Sequence, residues 1–136
     1  RILAIDYGTK RVGLAVTDPL QIIATGLDTI HSMNLFSFIK GYMKTEDLER
    51  IVIGMPKNLN NEATHSTPHV VGVVRKLKKE FPELAITEVD ERFTSKLAFN
   101  TMIESGISRK KRADKGMIDK LSATIILQSY LEQNSL

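Results

Sequence analysis

The segment that most constrains the fold of this chain is its first sixteen residues. The apolar run Ile2–Ile5 ends at Asp6, and a turn that contains Gly8 leads into a second apolar run, Val12–Val16. Two such runs joined by a short turn predict two antiparallel strands. The first run is apolar on both faces, which is typical of a central strand covered on both sides. Asp6 would then end a buried strand, where its charge needs either turn N–H groups or a cation.

The rest of the chain alternates between strand and helix patterns. Further strands are predicted at Gln21–Ile30, Ile51–Ile53 and Ala85–Val89, and helices at Leu35–Met43, Pro68–Phe81, Thr94–Gly106 and Ile118–Leu131. The order β-β-β-α-β-α-β-α-α predicts an α/β fold in which an antiparallel hairpin lies beside a parallel portion. In the last helix, Ile118, Leu121, Ile125 and Leu131 form the predicted apolar face. A length of 136 residues predicts a single domain over residues 1–136.

Composition excludes several classes of protein. Apolar residues make up 42% and charged residues 26% of the chain, as in ordinary globular proteins. No apolar run is long enough to span a membrane, and no signal peptide is recognised. The chain has no cysteine, so disulfides, thiolate zinc sites and thiol nucleophiles are excluded. These features lead us to expect a cytoplasmic protein.

Basic residues cluster in one segment. Residues 108–120 hold six basic and two acidic side chains, a net charge of +4, whereas the whole chain carries +3. Such a cluster predicts a polyanion partner, although a solvated surface loop would give the same pattern. The basic residues proposed to bind nucleic acid here are Arg109, Lys110, Lys111, Arg112 and Lys115.

Acidic side chains lie at the ends of two predicted strands and at the start of one predicted helix. Asp6 follows the first strand, Asp90 and Glu91 follow the fifth, and Asp119 lies in the first turn of the last helix. If the first and fifth strands are parallel, their carboxyl ends meet at one edge, and the carboxylates would converge around a cation. Oxygen ligands suit Mg²⁺ or Mn²⁺, and two such ions can support phosphodiester hydrolysis. For Asp119 the alternative is a simple helix-dipole contact.

Four stretches of the chain resemble one family. They are Asp6–Gly13, Val52–Pro56, Asp90–Ser95 and Asp119–Ala123 with Ile126–Leu131, and they occur in the family's order. On these stretches the chain is similar to the YqgF (RuvX) family, whose members are described as Holliday-junction resolvases and as nucleases that mature the end of pre-16S ribosomal RNA. One departure is that Asn60-Asn61 stands where the family usually has Asp-Gly.

The resemblance implies a fold and a set of site residues. The fold is ribonuclease H-like, a five-stranded mixed sheet of order 3-2-1-4-5 with helices on both faces. Asp6, Glu91 and Asp119 would be the catalytic acids and the ligands of Mg²⁺ or Mn²⁺, while Lys10, Arg11 and Arg92 would contact phosphate. Glu91 is preferred to Asp90 only through this resemblance, since the residues themselves leave the choice open.

The resulting hypothesis is a metal-dependent endonuclease, a hydrolase that processes the 5′ end of pre-16S ribosomal RNA. A resolvase of four-way DNA junctions, which would need two active sites on a symmetric dimer, stays open, as does a non-catalytic RNA-binding factor. The oligomeric state, monomer or weak dimer, is open too. A nucleotide phosphate binder of the actin type is a further alternative, because Asp6-Tyr7-Gly8-Thr9 resembles the first phosphate loop of that superfamily.

Overall fold

Five strands form one mixed sheet in this computed structural model, which describes residues 1–55, 67–90 and 115–134, with the backbone alone for Thr67 and residues 115–118. The strands are β1 (Ile2–Tyr7), β2 (Arg11–Thr17), β3 (Ala24–His31), β4 (Arg50–Met55) and β5 (Ala85–Asp90). Their order is β3-β2-β1-β4-β5. β1 pairs antiparallel with β2 and parallel with β4, and β5 is parallel to β4. The predicted sheet order and the mixed strand directions are confirmed.

Helices cover both faces of this sheet. The described helices are α1 (Leu35–Met43), which follows a 3₁₀ turn at Ser32–Asn34, α2 (Thr67–Glu80) and α3 (Lys115–Gln133). The two core clusters divide between the faces because successive strand residues point to opposite sides. Leu3 and Ile5 of β1 pack with α1 and α2, whereas Ile2 and Ala4 pack with α3. We call these the α1–α2 face and the α3 face.

The third strand begins later than its sequence pattern predicts. The prediction started at Gln21, but β3 starts at Ala24. The Asp18 carboxylate accepts hydrogen bonds from the backbone N–H groups of Ile22 and Ile23, at 2.7 and 2.8 Å. Gln21 has a positive φ of 60°. These bonds hold the segment before Ala24 in a turn, so its apolar side chains are exposed instead of extending the strand.

The last helix packs through a wider face than the predicted stripe. Of that stripe, Ile125 is buried, Leu131 packs against the α3-face cluster and Leu121 is half-buried. Ala123, Ile126 and Leu127 are also buried in this cluster. The small side chain of Ala123 allows the helix axis to approach the sheet closely. Asp119 lies about one helical turn before Ala123, so the face that packs is the one that carries Asp119. The helix predicted at Thr94–Gly106 lies outside the described residues.

None of the helices in the described part of the chain is long and apolar enough to cross a membrane.

Candidate active site at the carboxyl edge of the sheet

Asp6 lies near the carboxyl end of the central strand β1. It continues the row formed by Ile2 and Ala4, so the alternation of the strand directs its side chain to the α3 face. Asp6 is half-buried, and it makes an interaction with the surrounding protein. The first strand is therefore the doubly covered strand that its sequence predicts, and its acid sits where that strand leaves the core.

Gly13, which lies opposite Asp6 in the sheet, allows the start of α3 to approach β2 closely. In the β1–β2 ladder, Asp6 pairs with Gly13. A Cβ atom placed on Gly13 would lie 2.0 Å from the carbonyl oxygen of Asp119, so only a residue without a side chain permits this approach. Since paired Cα atoms are about 4.5–5.5 Å apart, the Asp119 carbonyl oxygen lies within about 9 Å of the Asp6 Cα. Two residues 113 positions apart in sequence are thus neighbours at this edge.

Arg11 holds the side chain of Asp119. The Arg11 Nε donates a hydrogen bond to the Asp119 Oδ2 at 2.9 Å, and the two groups form an ion pair. The Asp119 side chain is 23% exposed and that of Arg11 is 44% exposed. Arg11 occupies the same row of β2 as Gly13, which places it on the α3 face. The contact fixes the Asp119 carboxylate while leaving it open to solvent.

The turn between β1 and β2 is tied to the rest of the fold at both ends. The Gly8 N–H donates to the Arg11 carbonyl at 2.9 Å, which closes the turn. The Ser32 hydroxyl donates to the Thr9 carbonyl at 2.7 Å, and the Ser32 N–H donates to the Lys10 carbonyl at 3.0 Å. The Lys10 side chain is exposed on this anchored turn. Lys10 is therefore carried by an anchored turn that joins the strand of Asp6 to the strand that begins at Arg11.

The carboxyl ends of β4 and β5 extend the same edge. Ile53 of β4 pairs with Ile5, and Met55 pairs with Asp90 of β5. Two strand spacings separate β1 from β5, which amounts to about 10 Å. Val89 packs in the α3-face cluster, so the alternation of β5 directs Asp90 to the α1–α2 face, away from Asp6.

The structure describes part of the predicted site. Asp6, Asp119 and Arg11 lie at one edge, and Lys10 is in the turn between β1 and β2. Arg11, which the resemblance assigns to phosphate, is paired with Asp119 instead. Lys115 is the first residue of α3, but its side chain is not described. The predicted residues outside the described part are Glu91, Arg92, Arg109, Lys110, Lys111 and Arg112. Within residues 1–55, 67–90 and 115–134, no three His, Asp or Glu side chains are grouped closely enough to hold a metal ion.

The sequence reasoning missed the close contact between Gly13 and α3. The small side chain of Ala123 is a signal for it on the helix, but a glycine in an apolar strand also fits a bulge or a bend. Thr67–Glu80 carries four cations against one anion, and these cations occupy the exposed face that the helix pattern predicts. The sequence alone does not mark that face as a binding surface.

Comparisons with known proteins bear on these observations. A family model described as "RuvX: Holliday junction resolvase" matches residues 1–133. A protein of Bacteroides thetaiotaomicron is 55% identical over 132 residues, which cover 97% of this chain and 96% of that protein. One of Flavobacterium psychrophilum is 53% identical over 131 residues, with 96% of each covered. Both relatives carry the name "Putative pre-16S rRNA nuclease".

Solved structures show a similar fold at low sequence identity. The fowlpox virus resolvase, in complex with Holliday-junction DNA, superposes with a TM-score of 0.62 at 13% identity and covers 97% of both chains. The RuvC of T. thermophilus, in complex with a Holliday-junction substrate, gives 0.59 at 13% identity and covers 98% of this chain and 96% of its own. The ribonuclease H-like fold implied by the sequence resemblance is confirmed. Together with the match of the family model over residues 1–133, these findings show that the chain belongs to the RuvX family.

Proposed function

We propose that this protein is an endonuclease that hydrolyses phosphodiester bonds of pre-16S ribosomal RNA at its 5′ end, with Asp6, Glu91 and Asp119 as its catalytic acids. The observation that carries the proposal is that Gly13 brings the backbone of Asp119 to within about 9 Å of the Asp6 Cα on the α3 face. The names of relatives more than 50% identical over nearly the whole chain support ribosomal RNA as the substrate.

The side chains at this edge fit a divalent metal. Carboxylate oxygens are the ligands that Mg²⁺ and Mn²⁺ prefer, and acids that converge repel each other unless a cation lies between them. Asp6, Glu91 and Asp119 would hold the metal. When bound there, Mg²⁺ or Mn²⁺ supplies Lewis-acid activation of the attacking water and compensates the charge that develops on the phosphodiester.

The choice of Glu91 over Asp90 rests on the family resemblance and on the orientation of Asp90. Asp90 lies on the α1–α2 face, whereas Asp6 and Asp119 occupy the α3 face. This orientation speaks against Asp90 as the third acid, and the family resemblance supplies Glu91 in its place.

The cations beside the acids have two roles in the proposal. Arg11 orients the Asp119 carboxylate through the 2.9 Å bond from its Nε. Lys10 projects into solvent from the anchored turn, where its ammonium group binds a substrate phosphate near the acids. Because the Ser32 bonds fix the backbone of this turn, Lys10 starts from a defined position.

A resolvase activity on four-way DNA junctions is the second candidate. The description of the matching family names it, and the fold of two resolvases superposes on this chain. A resolvase makes two symmetric cuts and therefore needs two active sites in one assembly. Mass measurement of the protein bound to a junction checks this requirement directly.

The experiment compares Asp119→Asn with the wild type. A fragment of the ribosomal RNA precursor and a four-way DNA junction are each incubated with the protein in Mg²⁺ and then in Mn²⁺. Loss of second-shell partners of a metal already costs about 10–100-fold in activity, so loss of a direct ligand is expected to lower RNA cleavage by more than about 100-fold. Asp47→Asn is the matched control, because Asp47 is exposed and distant from the carboxyl edge.

Three results would contradict the proposal. Undiminished cleavage by Asp119→Asn would mean that the observed nuclease is a contaminant. Cleavage of the junction with no cleavage of RNA would favour the resolvase. Binding of RNA with no cleavage in either metal would favour a non-catalytic factor.

A further inference from the structure

A groove of about 450 Å³ lies on the α1–α2 face, next to the proposed site. It opens between the start of α1 and the first half of α2. Its volume is within the range of about 300–1,000 Å³ that is usual for sites that bind small molecules. Its lining includes Tyr7, Ser32, Met33, Phe36, Gly72 and Lys76.

The floor of the groove is aromatic and its rim is cationic. The Lys76 Nζ lies 4.4 Å from the centroid of the Phe36 ring, so its charge is held over the floor of the groove. Phe36 is in turn stacked on the buried Phe81, with centroids 6.2 Å apart and ring planes 4° from parallel. Met33 is 85% exposed beside this floor. None of the described lining residues is acidic. A matching ligand has a flat apolar part and a negative charge.

The helix on one side of the groove adds to this positive charge. Arg75, Lys78 and Lys79 are exposed on α2, in addition to Lys76. The acidic residue of this helix, Glu80, is paired with Lys40 of α1 at 3.6 Å. Because an array of cations of this kind attracts a polyanion more than a single small anion, the ligand is expected to be part of a nucleic acid chain.

The groove and the proposed acids meet at the carboxyl end of β1, on opposite faces of the sheet. Tyr7, which lines the groove, directly follows Asp6 in β1. Ser32, which also lines the groove, holds the turn that carries Lys10 and Arg11. A nucleic acid strand that crosses the carboxyl edge beside Asp6 would therefore pass from the acids into the groove.

We propose that this groove binds an unpaired nucleotide of single-stranded RNA next to the bond that is cut. The base replaces the Lys76 ammonium over the Phe36 ring, and the displaced ammonium, which is at the end of an exposed side chain, binds the phosphate of that nucleotide. A paired base cannot do this, because its faces are stacked in the duplex, whereas single-stranded RNA is bound by aromatic side chains together with cations. The proposal rests on the proposed nuclease function, and it adds that the substrate has an unpaired segment beside the cleavage position.

Gly72 offers a way to test the groove without disturbing the core. A Cβ atom at Gly72 would meet nothing within 4 Å, and the residue is exposed in the interior of α2. Gly72→Glu fills the groove and adds a negative charge, whereas Gly72→Gln fills it without charge. Gly41 is also an exposed helical glycine with open space around its Cβ position, but it does not line the groove. Gly41→Glu is therefore the matched control.

The experiment measures binding apart from cleavage. Fluorescein-labelled RNA hairpins, one blunt and one with an unpaired extension, are titrated with the full chain in EDTA, and the dissociation constants are obtained by anisotropy. Stacking on an aromatic side chain contributes about 1–3 kcal/mol per base, so the wild type should bind the extended hairpin roughly tenfold more tightly than the blunt one. Gly72→Glu should abolish this preference, Gly72→Gln should reduce it, and Gly41→Glu should keep it.

Two results would overturn the groove proposal. They are equal binding of the two hairpins by the wild type, and an unchanged preference in Gly72→Glu. Either result can occur in a protein that cleaves pre-16S RNA, in which case the nuclease function stands without the groove. Conversely, a preference that depends on Gly72 in a protein without cleavage activity would support the groove and refute the nuclease function.

Discussion

Replacement of Gly13 by alanine tests whether the acids depend on the close contact between β2 and α3. The added methyl group would lie 2.0 Å from the carbonyl oxygen of Asp119, 2.3 Å from its carbonyl carbon and 3.0 Å from the Lys120 nitrogen. All three are backbone atoms, so no side-chain rotation relieves the contact. A carbon and a carbonyl oxygen normally approach to about 3.3–3.6 Å. The start of α3 must therefore move away from β2 by more than about 1 Å.

This displacement has two consequences of predictable size. Overpacking of a well-packed core costs about 1–3 kcal/mol, and a clash with backbone on both sides belongs at the upper end of this range. A displacement of about 1 Å of a catalytic group can lower the rate by about 100-fold. Since Asp6 pairs with Gly13 and stays with the sheet, the movement separates Asp119 from Asp6.

The assay combines urea unfolding with cleavage of the ribosomal RNA precursor, measured where each variant is fully folded. Gly26→Ala is the control, because Gly26 also lies under α3 but its Cβ would meet the Lys120 Cγ at 2.9 Å, part of a flexible exposed side chain. This control should change the free energy of unfolding by less than about 1 kcal/mol and leave cleavage intact. If Gly13→Ala kept both the stability and the cleavage rate of the wild type, the close contact between β2 and α3 would be refuted. If it lost stability but cleaved at the wild-type rate, the dependence of catalysis on this contact would be refuted.

Two further predictions concern charged side chains. Arg11→Ala should lower the rate of RNA cleavage but change the free energy of unfolding by less than about 1 kcal/mol, because a partly exposed ion pair contributes little to stability. A thermal melt and a cleavage assay of the variant check both effects. An unchanged cleavage rate would exclude a role of Arg11 in positioning Asp119. The hydrogen bonds from the N–H groups of Ile23 and Ile22 lower the pKa of Asp18 below its ordinary value of 3.8. Their stabilisation is therefore present above 3.8 and lost as the pH falls through the lowered pKa. The melting temperatures of wild type and Asp18→Ala should differ at neutral pH and converge in acid, whereas a gap independent of pH would contradict this account.

The spacing of apolar residues predicted the strands and helices whose burial it determines. The run Ile2–Ile5 is apolar on both faces, and it forms the central strand with Asp6 near its end. The same kind of pattern was wrong at Gln21–Ile23, because three hydrogen bonds to Asp18 compete with strand extension. The strand order came from the resemblance to a family, since periodicity alone does not specify which strands pair.

The tertiary features of the candidate site could not be read from the sequence. The face of α3 that packs is wider than the predicted stripe, because the space next to Gly13 also lets the side of the helix that carries Ala123 lie against the sheet. The groove combines Tyr7, Phe36 and Lys76 from three separate elements, none of which is unusual in its own segment. Their common location exists only after the helices have packed on the sheet.

The ion pair between Arg11 and Asp119 spans 108 positions of the chain. During synthesis at about 5–20 residues per second, Asp119 is added to the chain several seconds after Arg11. A nascent chain that ends before α3 can already contain all five strands, yet it lacks one of the proposed acids. A chain that lacks α3 would therefore be expected to show no nuclease activity, even though its sheet is complete in sequence.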